Sequence, residues 1–412
     1  MNEFVKLSDL CILITKGSTP TTYGYSFKNE GIPFIKAEAL NGDVSLDVKG
    51  FSYIDDETHN FLKRSKIYPN DILMTIAGAN IGKTGFVREN ISEANTNQAV
   101  AIIRLDKEKI CPQFYYYYFK QKTFFKFVQS LNAQAAQPNI NLKMIGDFLV
   151  PKLEIDSQLK VVSILGTIDD LYLCNLDRIT KSKQIILNLY QEWFINFKFP
   201  NHEQVEFVDG IPDGWELKSV SELTQLISRG ITPKYNDESG KSVVINQKCI
   251  RENKLNLELA RRQDKEISDS KLVQKGDVLI NSTGAGTLGR VTQVHEDLPD
   301  TTVDTHVTIV RPLQAISSAW FGAAISNLES YIETLGEGAT NQLELKREVI
   351  SRIDLVCPAM DIQNQFQKIV EPMQQQILNL MKQNTHLLKL KETLLPRLMS
   401  GELDVSKLSS IG

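Results

Sequence analysis

Cysteine is scarce and scattered in this 412-residue chain. Cys11, Cys111, Cys174, Cys249 and Cys357 are odd in number and never stand in a CxxC pair. That pattern excludes a disulfide framework and a structural zinc site of ordinary spacing, and points to a reduced, cytoplasmic protein. Histidine is equally sparse, and His59, His202, His295, His306 and His386 form no HExxH arrangement. Neither sign of charge prevails: 46 Lys and Arg stand against 50 Asp and Glu, a net charge of −4. A uniformly basic, histone-like protein is thereby excluded, whereas locally concentrated positive charge is not. Apolar runs are too short to cross a bilayer, so no membrane association is expected. The start, MNEFVKLSDL, lacks a basic segment followed by an apolar one, so no signal peptide is expected.

Apolar residues nevertheless make up 42% of the chain, enough for real cores, and the length suggests two or three domains. Internal repetition decides how they are arranged. SDLCILITKGSTP (8–20) is answered by SELTQLISRGITP (221–233), with seven of thirteen positions identical. NDILMTIAGANIGKTG (70–85) is answered by GDVLINSTGAGTLGRV (276–291), and QAVAIIR (98–104) by THVTIVR (305–311). AAQPNINLK (135–143) corresponds to GATNQLELK (338–346). VPKLEIDSQL (150–159) corresponds to CPAMDIQNQF (357–366), aligning Pro151 with Pro358 and Gln158 with Gln365. Five collinear matches at nearly one offset indicate a duplication.

Each copy begins with a mixed region in which short apolar runs such as IPFIKA, DILMTI and AVAIIRL read as strands. FYYYYFKQKTFFKFVQSLN (114–132) exceeds ordinary strand length and reads as a helix, its aromatic run belonging to a core rather than to a base-stacking surface. A long helical pattern follows. Leu165, Ile168, Tyr172, Asn175, Ile179, Ser182, Ile186, Leu189 and Trp193 alternate spacings of three and four. Phe366, Val370, Met373, Ile377, Leu380, Asn384, Leu387, Lys391, Leu394 and Leu398 do the same in the second copy. These are heptad seams. Some 40 residues make a helix of about 60 Å, and its apolar stripe needs a partner. Pairing the two copies antiparallel supplies one, and places Asn175 beside Asn384 as a register-setting polar contact. Pro372 is expected to kink the second helix or delay its start. Leu171, Leu173, Trp193 and Phe194 are apolar positions in surplus of the seam. The expected fold is therefore α+β, with two globular domains separated by two long antiparallel coiled-coil helices. The boundaries fall at 1–150, 151–200, 201–356 and 357–412.

With the paired SDL…KGSTP and SEL…RGITP starts, the paired NDIL…G and GDVL…G segments, the 168–197 helix and the LLKLKETLLPRLMSGEL ending (387–403), the chain resembles the DNA specificity subunit of Type I restriction-modification enzymes over essentially its whole length. The resemblance implies that the two globular regions are target recognition domains on double-stranded DNA. It implies that the helices fix their separation and bind methyltransferase subunits, two of them, with restriction (motor and nuclease) subunits joining through the complex. It also implies that catalysis and its cofactors belong to those partners. The residues agree. No Asn/Asp-Pro-Pro-aromatic loop is present, and Pro299-Asp300 and Glu344-Leu345-Lys346, the nearest pieces of a metal-nuclease set, are far apart in sequence. Two unlike readers imply an asymmetric, two-part site.

Charge separates along the first copy: residues 60–150 carry twelve Lys and Arg against six acids, and residues 1–59 five against nine. AGANIGKT (77–84) fits a loose phosphate-binding pattern, but the second copy, STGAGTLGR (282–290), keeps only the glycines and one cation, Lys83 becoming Arg290. A glycine turn carrying a cation, suited to a phosphate or a guanine edge, is therefore expected in place of a nucleotide site. Lys16 and Arg229, each before a Gly, are phosphate candidates or parts of a plain turn. Base-reading candidates lie in the divergent loops: Thr21, Thr22, Tyr23, Lys36 and Glu38 in the first copy; Lys234, Tyr235, Asn246, Gln247 and Lys248 in the second; and Asn80 in the glycine turn. The polar segments 132–139 and 336–342 are expected on the same face. A protein-binding scaffold without DNA contact leaves the divergent loops unexplained.

Overall fold

A computed structural model describes residues 3–78, 80–131, 139–338 and 343–405. The chain forms two compact units. The first holds the residues up to Asn175 together with those from Gln383 onward; the second runs from Leu176 to Lys382. The long helices, Ile155–Tyr190 and Met360–Ser400, each contribute a stretch to both units.

In the first unit an antiparallel sheet runs in the order Cys11–Lys16, Val100–Leu105, Ile72–Thr75, Thr84–Phe86. Strand periodicity sends its side chains to two cores. Ile72, Met74 and Ile103 pack with Phe114, Tyr117 and Phe119 of the helical side. Leu73, Val100 and Ile102 pack with Ile35 of a second sheet and with Leu40 on the short helical turn that follows it. Burial on both faces explains why ILMT reads as an unbroken apolar run. The second sheet is mixed: Ile32–Ile35 runs parallel to Ala94–Thr96 and antiparallel to Phe51–Ile54. Glu3–Lys6 pairs with Leu149–Lys152 and closes the domain beside the helix.

The second unit repeats this topology. Its sheet runs Thr224–Arg229, Val307–Pro312, Val278–Asn281, Val291–Gln293. Ser242–Ile245 lies parallel to Thr301–Val303, and Glu216–Ser219 pairs with Asp354–Cys357. Even the bulge recurs, at Cys11/Leu13 and at Thr224/Leu226. So does an ion pair on a buried aspartate beside the sheet: Arg104, itself partly exposed, donates to both carboxylate oxygens of Asp71 at 2.8 and 2.7 Å, and Arg311 to those of Asp277 at 2.7 and 2.8 Å. Those Arg and Asp residues come from the AIIR/TIVR and NDIL/GDVL repeats.

One repeat is shifted from its sequence alignment. Gln158 accepts from the Cys111 N–H and donates to the Leu153 carbonyl. Gln363 accepts from the Ser317 N–H and donates to the Pro358 carbonyl. The counterpart of Gln158 is therefore Gln363, not Gln365, and Pro358 stands where the first copy has Leu153. Both glutamines clip the helix start onto the domain, a constraint that outranks the identity of a nearby proline.

The aromatic stretch forms two helices, Pro112–Lys120 and Lys122–Ser130, broken at Gln121, whose ψ of 137° is extended. Phe114, Tyr115, Tyr116, Tyr117 and Phe119 are core residues, as expected. The second long helix begins at Met360 and continues through Pro372 and Pro396, so Pro372 does not delay its start. All the seam positions of both helices are buried or half-buried. Within the first unit Asn175 donates to Asn384 Oδ1 at 2.9 Å and to Gln383 Oε1 at 3.0 Å, and Asn384 donates to the Tyr172 carbonyl. The expected asparagine contact is present, and both residues are buried. In the same seam Lys391 Nζ meets Asp169 at 2.5 Å, so residues 169 and 391, like 175 and 384, pair antiparallel. In the second unit Ile179, Ile377 and Leu380 continue the pattern. Trp193 and Phe194 are buried with Phe366 and Trp215, whereas Leu171 remains exposed.

Candidate nucleic-acid interface

In each unit the loops that differ most between the copies meet at one end of the sheets. In the first unit the Gly17 N–H donates to the Val100 carbonyl and the Ser18 N–H to that of Thr96. The Ile76 N–H reaches the Ala99 carbonyl, Thr96 Oγ1 the Ile35 carbonyl, and Lys83 Nζ the side chain of Asn41 at 2.6 Å. In the second unit the Gly230 and Ile231 N–H groups donate to Val307 and Val303, and the Ser282 N–H to His306. The Asp304 N–H donates to Ile245 and Asn281 Nδ2 to Gln247. These bonds hold four loops of each unit on one rim.

The glycine of KGSTP and RGITP is required by close approach, not by φ. A Cβ on Gly17 would stand 2.0 Å from the Thr96 carbonyl oxygen, and one on Gly230 1.8 Å from that of Val303. The flanking cations differ. Lys16 is exposed. Arg229 pairs with Glu344 and donates to the Leu345 carbonyl at 2.9 Å, which fixes it to the framework.

The 77–85 segment covers the turn and the start of the second strand of an antiparallel hairpin, Ile72–Thr75 with Thr84–Phe86. A nucleotide-binding loop joins a strand to a helix, so this geometry excludes that reading. The turn is closed by the same bonds in both copies, though it is one residue longer in the second: Gly82 N–H to Thr75 O and Thr75 N–H to Lys83 O in one, Gly289 N–H to Asn281 O and Asn281 N–H to Arg290 O in the other. Gly82 and Gly289 both have positive φ, 85° and 81°. Asn80 is exposed on this turn, and Arg290 folds back on the Gly286 carbonyl at 2.6 Å.

Thr21, Thr22 and Tyr23 are exposed on the short Pro20–Tyr23 turn, and Tyr23 packs edge-on against Phe61. Lys36 lies 4.3 Å over the Phe27 ring, beside exposed Glu38. Lys234 and Lys248 are exposed. Asn246 is committed locally: its Oδ1 caps the Lys248 N–H and its Nδ2 donates to the Leu259 carbonyl. Gln247 Oε1 is buried without a hydrogen-bond partner. A groove of about 720 Å³ joins Tyr235, Asn246, Gln247 and Lys248 to Arg261, Arg262 and His306. The last three were not anticipated. Arg261 and Arg262 lie on a strand, Arg261–Gln263, that no periodicity marks. Arg261 is held by both oxygens of Asp237 and stacks 3.7 Å over Tyr235. The segments 132–138 and 339–342, expected on this face, lie outside the described residues.

The basic surplus of residues 60–150 divides between roles. Arg88, Arg104, Lys109 and Lys122 pair with Asp170, Asp71, Asp106 and Glu392. Lys120 is half-buried, and burial pulls its ammonium down to about 8. Among the described residues no group of acidic, His and Cys side chains suits a metal ion, and no helix is long and apolar enough to cross a membrane.

Two copies of one mixed-sheet framework, each with an unlike loop rim and a share of two antiparallel helices, define a duplicated recognition-type fold. Residues 2–184 match the family described as the Type I restriction modification DNA specificity domain. The chain is 24% identical over 422 residues to the Type I restriction enzyme MjaIX specificity subunit of Methanocaldococcus jannaschii, covering 96% of this chain and 92% of that one. It is 33% identical over 133 residues to the EcoBI specificity subunit of Escherichia coli, covering 32% and 27%. Its fold matches the crystal structure of a Type I restriction-modification S subunit from M. genitalium with a TM-score of 0.62 at 16% identity, covering 96% of this chain and 95% of that one. The chain is thus similar over most of its length to specificity subunits of Type I restriction-modification systems, and its residues 2–184 match their DNA specificity domain.

Proposed function

We propose that this chain is the DNA-recognition component of a Type I restriction-modification complex and has no catalytic site of its own. The observation that carries the proposal is the rim: one framework is built twice, and what differs between the copies is collected where the loops meet. Each rim reads one half of an asymmetric, two-part site on double-stranded DNA. Direct contacts come from Lys16, Thr21, Thr22, Lys36, Asn80 and Lys83 on the first rim, and from Lys234, Gln247, Lys248 and Arg290 on the second, with Asn246 and Arg229 positioning their loops. Long cationic and amide side chains suit guanine and adenine edges, and the hydroxyls suit phosphates.

The helices set the spacing. At 1.5 Å per residue, helices of 36 and 41 residues are about 54 and 62 Å long, the scale of several base-pair steps beyond one helical turn of DNA. Their exposed apolar residues, Ile155, Leu159, Leu171, Ile185 and Ile369 among them, suit two methyltransferase subunits, through which the restriction subunits join in the cytoplasm.

Selection of duplexes from a randomised pool by the full chain tests this reading. The expected result is a motif of two unlike parts separated by a fixed unspecified gap. A single continuous motif, or none, overturns it. Inserting seven residues into both helices changes the gap and leaves both half-motifs intact; an unchanged gap refutes the spacer role.

A further inference from the structure

Lys63, Arg64 and Lys66 line a groove of about 480 Å³ with Leu13, Ile14, Thr15, Tyr68 and Arg104, and no carboxylate lines it. Arg104 is neutralised by buried Asp71. The other three carry charge without an ion pair among the described residues. Arg64 Nε donates to Thr15 Oγ1 at 2.9 Å, which fixes the guanidinium against the strand, and Lys66 donates to the neutral amide of Asn60. Lys63 and Arg64 are exposed. The groove lies beside the edge strand Cys11–Lys16, and Thr15 in its wall directly precedes Lys16 at the rim.

Two of these charges have no counterpart in the second copy. The guanidiniums of Arg104 and Arg311 donate to the carbonyls of Lys66 and Leu272 respectively, which sets the correspondence. Lys63, Arg64 and Lys66 are thus replaced by Asp269, Ser270 and Leu272. The remaining cation, Lys271, is turned inward onto Ser228 Oγ at 2.6 Å. Ser228 is the counterpart of Thr15, so a cation on this hydroxyl is common to both copies, whereas the charges of Lys63 and Lys66 have no counterpart and the framework does not require them. Three like charges gathered in one groove repel one another unless an anion joins them.

We propose that this groove is a DNA-backbone track of the first unit: Lys63, Arg64 and Lys66 hold phosphates flanking the half-site read at the adjacent rim, and the second unit has no equivalent track. The assignment rests on the DNA-reading rim proposed above. A duplex is favoured over an acidic protein because the groove continues directly from the rim at Lys16.

Phosphate contacts release counterions, so each cation contributes about 0.9 to the salt dependence of binding. The experiment compares the full chain with Lys63→Gln/Arg64→Gln/Lys66→Gln on a randomised duplex pool and then on the selected duplex, between 50 and 200 mM NaCl. The log–log slope is expected to fall by about 2.7, so that the variant loses roughly 40-fold less affinity than the parent across that range. The selected motif stays the same. Lys63→Gln/Lys66→Gln keeps the Arg64–Thr15 bond and falls by about 1.8, which separates charge loss from local unfolding. An unchanged slope with intact motif selection overturns the track and leaves the rim reading standing. A changed motif also overturns it, because phosphate contacts carry no sequence information. Failure of the parent chain to bind any duplex overturns both.

Discussion

The Asp169–Lys391 pair offers the sharpest energetic test of the helix seam. Both side chains are almost wholly buried, 0% and 8% exposed, and meet at 2.5 Å. Asp169 also accepts from the Tyr117 hydroxyl at 2.8 Å, tying the seam to the aromatic core of the first unit. Removing one member of a buried pair costs about 3–5 kcal/mol, because the survivor stays charged and desolvated, whereas an apolar replacement of both is often nearly neutral. Asp169→Asn and Lys391→Met are each expected to lose that amount at pH 7. Asp169→Leu/Lys391→Met is expected to lose far less than the sum of the single losses. Burial already pulls the Lys391 ammonium below its ordinary range, with Asp169 pulling it back up. Without Asp169 the lysine can shed its proton, so the Asp169→Asn penalty shrinks as pH rises from 7 toward 10. Lys122–Glu392, 78% and 56% exposed, is the comparator. Lys122→Ala should cost less than about 1 kcal/mol. Hydrogen exchange along residues 155–175 and 383–400 in a denaturant series reads the loss locally, where a single global transition is not assured. Single losses below about 1 kcal/mol, or a double loss equal to their sum, would refute the reasoning.

Gly17→Ala and Gly230→Ala place a methyl carbon 2.0 and 1.8 Å from carbonyl oxygens. Each should cost more than about 2 kcal/mol and loosen its own rim, seen as faster exchange of the amides that bond Thr96 or Val303. Lys83→Gln should weaken duplex binding without creating or abolishing ATP hydrolysis; turnover by the full chain that vanished in the variant would contradict the hairpin reading. The half-buried His295 is held neutral down to about 4 by desolvation, with Lys183 and Lys275 nearby adding to the effect. Its pKa is depressed from an unfolded value near 6.5, so its contribution is complete above pH 6.5 and is lost as pH falls toward 4. His295→Gln should flatten that part of the stability curve, measured as the difference between the two proteins' melting profiles.

Much of the fold was legible because periodicity is local. The heptad positions and the ILMT strand follow from spacing within one element, and the Asn175–Asn384 contact from pairing the two copies antiparallel. The aromatic helix was legible as a helix but not as two, since the break at Gln121 is a backbone turn between two equally apolar halves. Gln158 was aligned with the wrong partner because Pro151 and Pro358 look equivalent. The real equivalence lies in hydrogen bonds to Cys111 and Ser317, more than forty residues away in sequence. The rim was legible only in part. Lys83 and Arg290 could be named because the turn repeats. Arg261, Arg262 and His306 could not, because they reach their groove from a strand and a loop that are far apart in the chain.

The duplication also explains why the two rims can differ without cost to the framework. Corresponding anchors are 213 residues apart at Gly17/Gly230, 210 at Ile35/Ile245, 206 at Asp71/Asp277, 207 at Arg104/Arg311 and 205 at Gln158/Gln363. Each change of offset records residues lost or gained between two anchors, never within one. The strand registers themselves are conserved down to the bulge beside Leu13 and Leu226. A one-residue slip in a strand would turn its whole buried face outward, so length changes survive only where no register is at stake. The largest steps flank the loops after Gly17 and after Ile35, the two that supply most of the candidate base contacts. The sheets and the Asp–Arg pairs beside them hold the loop ends in place, and the loops between are free to change length and chemistry. That separation is what a protein needs if its target is to diverge while its scaffold does not.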